Sequence, residues 1–265
     1  MPNTLHVAIG IGLLVALGIT ALTVLRVPLR TSVLTSVVRA IIQLAVIGAV
    51  IRFVFRHPDA SAGVLAVMFV VATLTAARRT RELGRTLPAV ALAVLVGVAP
   101  VIGIAMAVPV VPRSARYLIA LAGIVIGNAM VACTLSGRAF ARALRSQRDE
   151  VEGWLAIGAS MRQACAPITR VAIAESLLPA LDQTRTVGLV TLPGAFVGSL
   201  AGGASATGAA RFQLIVLVGI VVAQILASGT LMLLRGAPAT LPADPDPMRN
   251  RGQPGMERAT GIEPA

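Results

Sequence analysis

Six runs of about 20 apolar residues, at 7–25, 34–55, 60–77, 87–111, 117–135 and 209–234, leave this chain little choice of fold. A bilayer core about 30 Å thick is crossed by roughly 20 residues of helix, so each run is long enough to span it. A seventh run, 186–203, is marginal, because Pro193 and several Gly interrupt it. Broken helices persist in membranes where protein or a water-filled cavity satisfies the freed backbone groups. That segment is therefore a candidate pathway lining or a helix-packing surface of small residues. The expected fold is all-α: a polytopic membrane protein of about seven transmembrane helices, with a cytoplasmic coupling loop of short helices. Residues 1–235 would form the membrane domain. From 236 to 265 the chain turns to Pro, Ala, Asp and Gly without apolar periodicity, the pattern of a disordered tail.

Composition supports the membrane class. Hydrophobic residues make up 56% of the chain, charged residues 13%, and the mean hydropathy is +0.86; soluble domains average about 45–50% apolar and 25% charged. The first apolar run lacks a basic leader and an A-x-A-like cleavage site, which makes it a span rather than a signal peptide. The net charge of +12 does not point to nucleic acid, since the basic residues sit in short loops and only 3% of residues are aromatic. All 23 basic residues are Arg. Without Lys there is no P-loop lysine and no Schiff base, so the chain is not expected to be an enzyme or to hold a cofactor. If ATP drives it, ATP and Mg belong on another subunit. Cys133 lies in an apolar run and Cys165 in a basic loop, which argues against a disulfide and leaves Cys165 reachable from the cytoplasm.

Arginine placement orients the chain. Arg26, Arg30, Arg78, Arg79, Arg81, Arg85, Arg138, Arg142, Arg145, Arg148, Arg162 and Arg170 fall on one side, twelve in all. Arg52, Arg56, Arg113, Arg116 and Arg211, five in all, fall on the other. The positive-inside rule then puts the N-terminus outside and the long loop and C-terminus in the cytoplasm of a multi-pass protein of the cell membrane. The two sides alternate correctly only when the marginal seventh span is counted.

The loop, about 145–179, carries Glu152, Gly153, Trp154, Leu155, Ala156, Ile157, Gly158, Ala159 and Ser160 in succession. An acidic residue followed by small and apolar ones makes a short amphipathic helix, and Gly158 lets the backbone turn sharply. Glu152 is read as a contact or helix-ordering group, against the alternative of an exposed carboxylate stabilising the helix N-terminus. Trp154 either anchors at headgroup level or plugs a groove on a partner.

At these residues the chain resembles the EAA loop of ABC-transporter permeases, the segment that couples a membrane subunit to its ATPase. More of it resembles one family, the FetB-type iron-export ABC permeases, which also includes plant aluminium-tolerance membrane subunits. The resemblance rests on Arg39, Gln43-Leu44 and Gly48; on 124–130; on the loop; and on 186–194 with Gly198 and Gly202-Gly203 beyond. It implies a permease subunit, working as a homodimer with two ATPase subunits, that exports iron or a related metal, with Glu152, Trp154, Gly158, Ala159 and Ser160 at the ATPase contact. The chain departs from the family at Ala195, Phe196, Val197 and Ser199, where the family carries Met, Thr and Gln donors.

Candidate pathway residues are Arg39, Gln43, Asn128, Glu175, Asp182, Pro193, Gly194 and Gly198. Arg39, a turn or two inside its helix, is placed to snorkel to the interface. Gln43 shares its face, and Asn128, deep in an apolar run, is either interhelical glue or a substrate ligand. Glu175 and Asp182 are seven apart and share a face if the helix continues through Pro179, so together they could attract a cation. Two other readings stay open: a proton-driven secondary transporter with Glu175 or Asp182 as carrier, and a membrane scaffold that transports nothing.

Overall fold

The computed structural model describes residues 4–108, 114–238 and 241. Contacts divide the chain into two compact units, Met1–Ser61 and Ala62–Ala265. The first is a helical hairpin of α1 (Thr4–Val24) and α2 (Arg30–Arg56), closed by a 3-10 turn at Pro58–Ala60. The turn between the helices puts Arg26 at φ 53°, in the left-handed region.

The second unit is a bundle. It comprises α3 (Ser61–Arg79), α4 (Leu87–Ala107), α5 (Ala115–Ser146), α6 (Arg148–Ala156), α7 (Met161–Ala164), α8 (Ala166–Thr186), α9 (Gly194–Ala201) and α10 (Ala206–Arg235). Helix α10 is its axis, packing on α4, α5, α8 and α9. Lipid tails are as apolar as Leu, so such helices associate through close packing rather than hydrophobic exclusion. Small residues let the backbones approach: a Cβ at Gly97 of α4 would stand 2.7 Å from the Ala223 carbonyl and 3.0 Å from the Ala227 Cβ. A Cβ at Gly219 would stand 2.9 Å from Val101.

Among the described residues, six helices are long and apolar enough to cross a membrane: α1, α2, α3, α4, α5 and α10. The fold is all-α and polytopic as expected, and the count of seven is approximate. The marginal segment 186–203 contributes only the eight-residue α9, preceded by a turn in which Gly188 has φ 79° and its N–H bonds the Thr191 carbonyl at 2.9 Å. A longer helix precedes it, starting earlier than the marginal run in the sequence. Helix α8 begins inside the expected cytoplasmic loop, beside the C-terminal end of α10, where a Cβ at Gly236 would lie 2.9 Å from Thr169 Oγ1. It packs on α5 and α10 through Ile168, Ala172, Ser176 and Ala180, at i, i+4 spacing. The α9 that follows reaches the opposite end of the bundle, beside Tyr117 and Phe212. At 1.5 Å per residue the 21 residues of α8 cover about 30 Å, the thickness of a bilayer core. Its four charges, Arg170, Glu175, Asp182 and Arg185, lower its hydropathy and hide it among loop residues. The short helices expected over 152–179 are thus α6 and α7 alone. Most of the proposed tail, 239–240 and 242–265, lies outside the described residues.

Candidate functional site

One end of the bundle gathers the α3–α4 turn, the C-termini of α5 and α10, and the α6–α7 elbow. Thr86 donates to the Ala77 carbonyl at 3.2 Å, and Thr80 donates to Thr86 at 3.3 Å, fixing the α3–α4 turn. Glu82 of that turn pairs with Arg145 of α5 at 2.6 Å. Arg235 at the end of α10 donates to the Arg85 carbonyl. Arg162 of α7 reaches the Leu233 carbonyl at 2.8 Å. The elbow is therefore strapped to the end of α10.

The elbow itself follows from local sequence. Asp149 and Glu150 occupy the first turn of α6, where the helix dipole favours negative charge. Glu152 accepts from Arg148 Nε at 2.7 Å, an i, i+4 pair within α6. Val151 is buried and Leu155 packs on the core, so Trp154 and Ile157 face outward, 46% and 76% exposed. Gly158 ends the helix at φ 90°, a conformation that costs an L-residue about 1–2 kcal/mol. Nothing lies within 4 Å of where its Cβ would be, so within this chain the requirement is backbone torsion, not space. Ala159 leads to Ser160, which caps α7: Ser160 Oγ accepts from the Gln163 N–H, and Gln163 Oε1 accepts from the Ser160 N–H at 2.8 Å, a capping box. Glu152, Trp154, Gly158, Ala159 and Ser160 thus form one outward-facing turn.

Cys165 follows immediately and corrects the expectation of an accessible thiol. It is fully buried, its Sγ 3.7 Å from Met161 Sδ, and burial pushes its pKa up. Cys133 is also buried, and both are free thiols.

Asn128 lies in the bundle interior. Its Nδ2 bonds the Ile124 carbonyl at 2.9 Å, and its Oδ1 accepts from Gln224 Nε2 at 3.1 Å, tying α5 to α10. Among the described residues Gln224 Oε1 is buried without a partner, and so is Gln213 Oε1, eleven residues and three turns earlier on the same face of α10. Gln224 was absent from the sequence-derived candidates. The signal was available: two amides separated by three helical turns within one apolar run.

Glu175 and Asp182 both lie exposed on α8, which runs through Pro179 without stopping. Asp182 pairs with Arg185 at 3.5 Å. Pro193 precedes α9 as its N-cap, Gly194 opens it, and Gly198 lines a pocket of about 270 Å³ with Ala195, Ser199 and Gly202 against Tyr117, Ala120, Ile124 and Phe212. Arg39 and Gln43 belong to the hairpin unit, one turn apart on the exposed face of α2, along a groove with Leu34, Thr35, Val38 and Ile42. Arg39 and Gln43 thus share a face of α2 within the hairpin unit, and the other pathway candidates belong to the bundle, at the α5–α10 seam and along the α8–α9 segment. Among the described residues no three His, Cys, Asp or Glu side chains cluster as metal ligands.

A family model described as an uncharacterised protein family, UPF0014, matches residues 5–237. The chain belongs to this family. Among its relatives, it is 36% identical over 172 residues to UPF0014 membrane protein STAR2 of Oryza sativa subsp. japonica, covering 64% of this chain and 60% of that protein. It is 35% identical over 172 residues to protein ALUMINUM SENSITIVE 3 of Arabidopsis thaliana, covering 64% and 63%. It is 32% identical over 175 residues to the probable iron export permease protein FetB of Escherichia coli K12, covering 64% and 66%. The match thus spans less than two thirds of these relatives' own length. No solved structure matches. With six helices of spanning length and relatives named as membrane proteins and a permease, this UPF0014 member is an integral multi-pass membrane protein.

Proposed function

We propose that this UPF0014 protein is the transmembrane permease subunit of an ABC transporter, exporting iron or a related metal with ATP hydrolysed by a separate subunit. The observation that carries the reading is the α6–α7 elbow. It is a turn held by a positive-φ glycine and a capping box, presenting Trp154 and Ile157 outward and strapped through Arg162 to α10. An apolar knob on a rigid turn, at the Arg-rich end of a bundle, suits a soluble partner that pushes on it. The similarity to the iron export permease supports the substrate class and direction. In this reading the N-terminus is outside, the elbow and C-terminus are cytoplasmic, and two copies of the chain act with two ATPase subunits. ATP-driven closure of the ATPases then biases the bundle between two access states.

The test is co-purification of a cognate ATPase with the wild-type chain, Gly158→Trp and Glu152→Arg, followed by transport in vesicles. The wild type should retain the ATPase. Both variants should insert normally and lose it: Gly158→Trp by backbone strain of about 1–2 kcal/mol plus bulk at the contact, Glu152→Arg by removing the pair that orders α6. A second reading, a proton-driven secondary transporter, is favoured by the exposed Glu175 and Asp182 on a helix of crossing length. A wild-type chain that binds no ATPase and transports on a proton gradient alone establishes that reading instead.

A further inference from the structure

Helices α3 and α5 meet at two levels. A Cβ at Gly123 would stand 2.7 Å from Met68 Cε, and one at Gly137 would stand 2.5 Å from Thr80 Cγ2. The two helices thus run the same way, and Arg79 and Arg138, the neighbours of Thr80 and Gly137, lie level with each other. Arg79 follows Met68 by eleven residues, three turns, and so continues the face of α3 that touches α5. On α5, Cys133, Phe140 and Leu144 are buried to one side of Gly137, and Arg138, Arg142 and Arg145 are exposed to the other. Arg145 is taken by Glu82 at 2.6 Å. Among the described residues, the side chains of Arg79, Arg138 and Arg142 have no hydrogen bond and no ion pair. Three unanswered charges therefore line the outer edge of the α3–α5 contact.

We propose that this edge is a binding site for an anionic phospholipid, its phosphate held by Arg79, Arg138 and Arg142 and an acyl chain lying along the groove beneath them. Depth selects a lipid over a soluble anion. About 20 residues of helix cross the hydrocarbon, and counted from Tyr117 they end near Ser136. Arg138 and Arg142 then stand about 3 and 9 Å beyond it, within side-chain reach of a headgroup layer roughly 5–8 Å deep. Toward the hydrocarbon the same edge turns apolar and shallow. Val71 and Val131 are 56% and 37% exposed, and nothing lies within 4 Å of where a Cβ would stand at Gly127, three turns before Arg138 on its face.

Charge excludes the other occupants. The hairpin unit carries Arg26, Arg30, Arg39, Arg52 and Arg56 against one carboxylate, Asp59, which precedes α3 at the end opposite Arg79. A second copy meeting this edge with its own brings the same three arginines. A phosphodiester answers them, since guanidinium forks bind phosphate oxygens in pairs and basic pockets between membrane helices suit anionic headgroups.

Lipid binding by the purified full chain in detergent tests this, read by native mass spectrometry and by the midpoint of thermal unfolding. The probes are phosphatidylglycerol, phosphatidylcholine and glycerol phosphate. Phosphatidylglycerol should stay bound and raise the midpoint; the other two should do neither. Arg138→Gln with Arg142→Gln should weaken it roughly tenfold or more. Gly127→Leu, which fills the groove, should weaken it several-fold. Arg52→Gln with Arg56→Gln removes the same charge from the hairpin and should leave binding intact. The proposal is overturned if phosphatidylcholine binds equally well, or if the two arginine pairs lose lipid alike, which would reduce the effect to net charge. It is overturned too if Gly127→Leu changes nothing, or if glycerol phosphate displaces the lipid as well as more lipid does, which would make this a soluble-anion site.

Discussion

The α1–α2 hairpin and the bundle around α10 are about equally apolar, yet they use that apolarity in opposite ways. None of the most apolar stretch of α1 is buried and only 6% of that of α2, against 50% in both α5 and α10. Glycine shows the same split. A Cβ at Gly10, Gly12, Gly18 or Gly48 of the hairpin would meet nothing, whereas one at Gly97 or Gly219 of the bundle would collide with a neighbouring helix. Hydropathy selects the solvent of a helix, and small residues with buried amides select its neighbours. The bundle has both devices.

The largest expected contrast is steric. Gly97→Leu should destabilise the detergent-solubilised protein by roughly 1–3 kcal/mol, read as a lowered midpoint of thermal unfolding, because the Ala223 carbonyl and Ala227 Cβ have nowhere to retreat. Gly12→Leu should leave the midpoint unchanged. Equal losses would dissolve the distinction between the two units.

A smaller contrast tests the amides. Asn128→Leu and Gln224→Leu should each cost about 1 kcal/mol, and the double variant less than the sum, since removing both partners leaves no orphaned amide. Gln43→Leu on the exposed α2 face should not shift stability. Strict additivity between Asn128 and Gln224 would show that their hydrogen bond contributes nothing.

The smallest contrast is one of reactivity. A maleimide should label Leu25→Cys in the hairpin turn, where Leu25 is 70% exposed, and leave Cys165 unmodified. Since the thiolate is the nucleophile and burial raises the Cys165 pKa, its thiolate fraction stays below that of an ordinary thiol at neutral pH and grows as pH rises. Mass spectrometry after labelling at two pH values reads both effects. Ready modification of Cys165 at neutral pH would mean that the α7–α8 junction opens.

The long spans were legible because 20 uninterrupted apolar residues admit few alternatives in lipid. The elbow was legible too, since Gly158 and Ser160 are residues whose chemistry specifies a turn and a cap. Helix α8 was not. Its inward stripe of Ile168, Ala172, Ser176 and Ala180 is diluted by four charges on the other face, and window-averaged hydropathy cannot separate the two. Nor was the Asn128–Gln224 bond, which joins residues 96 apart and depends on the rotation of α10 against α5. Arg39 and Gln43 illustrate a third limit: their shared face follows from i, i+4 spacing, but spacing says nothing of what that face meets.

Helix α10 also has the proportions of a lever. Its 30 residues make a rod of about 45 Å with no proline to bend it. One end takes the hydrogen bond from Arg162 of the elbow, and the other carries Phe212 into the wall of the α9 pocket. Near mid-length, at Ala223 and Ala227, its backbone lies tightest against Gly97. A rod gripped at its middle has little room to slide but can rock about the grip. Force on the elbow would then reach the far end as a swing of opposite sense, with Gly97 as the fulcrum.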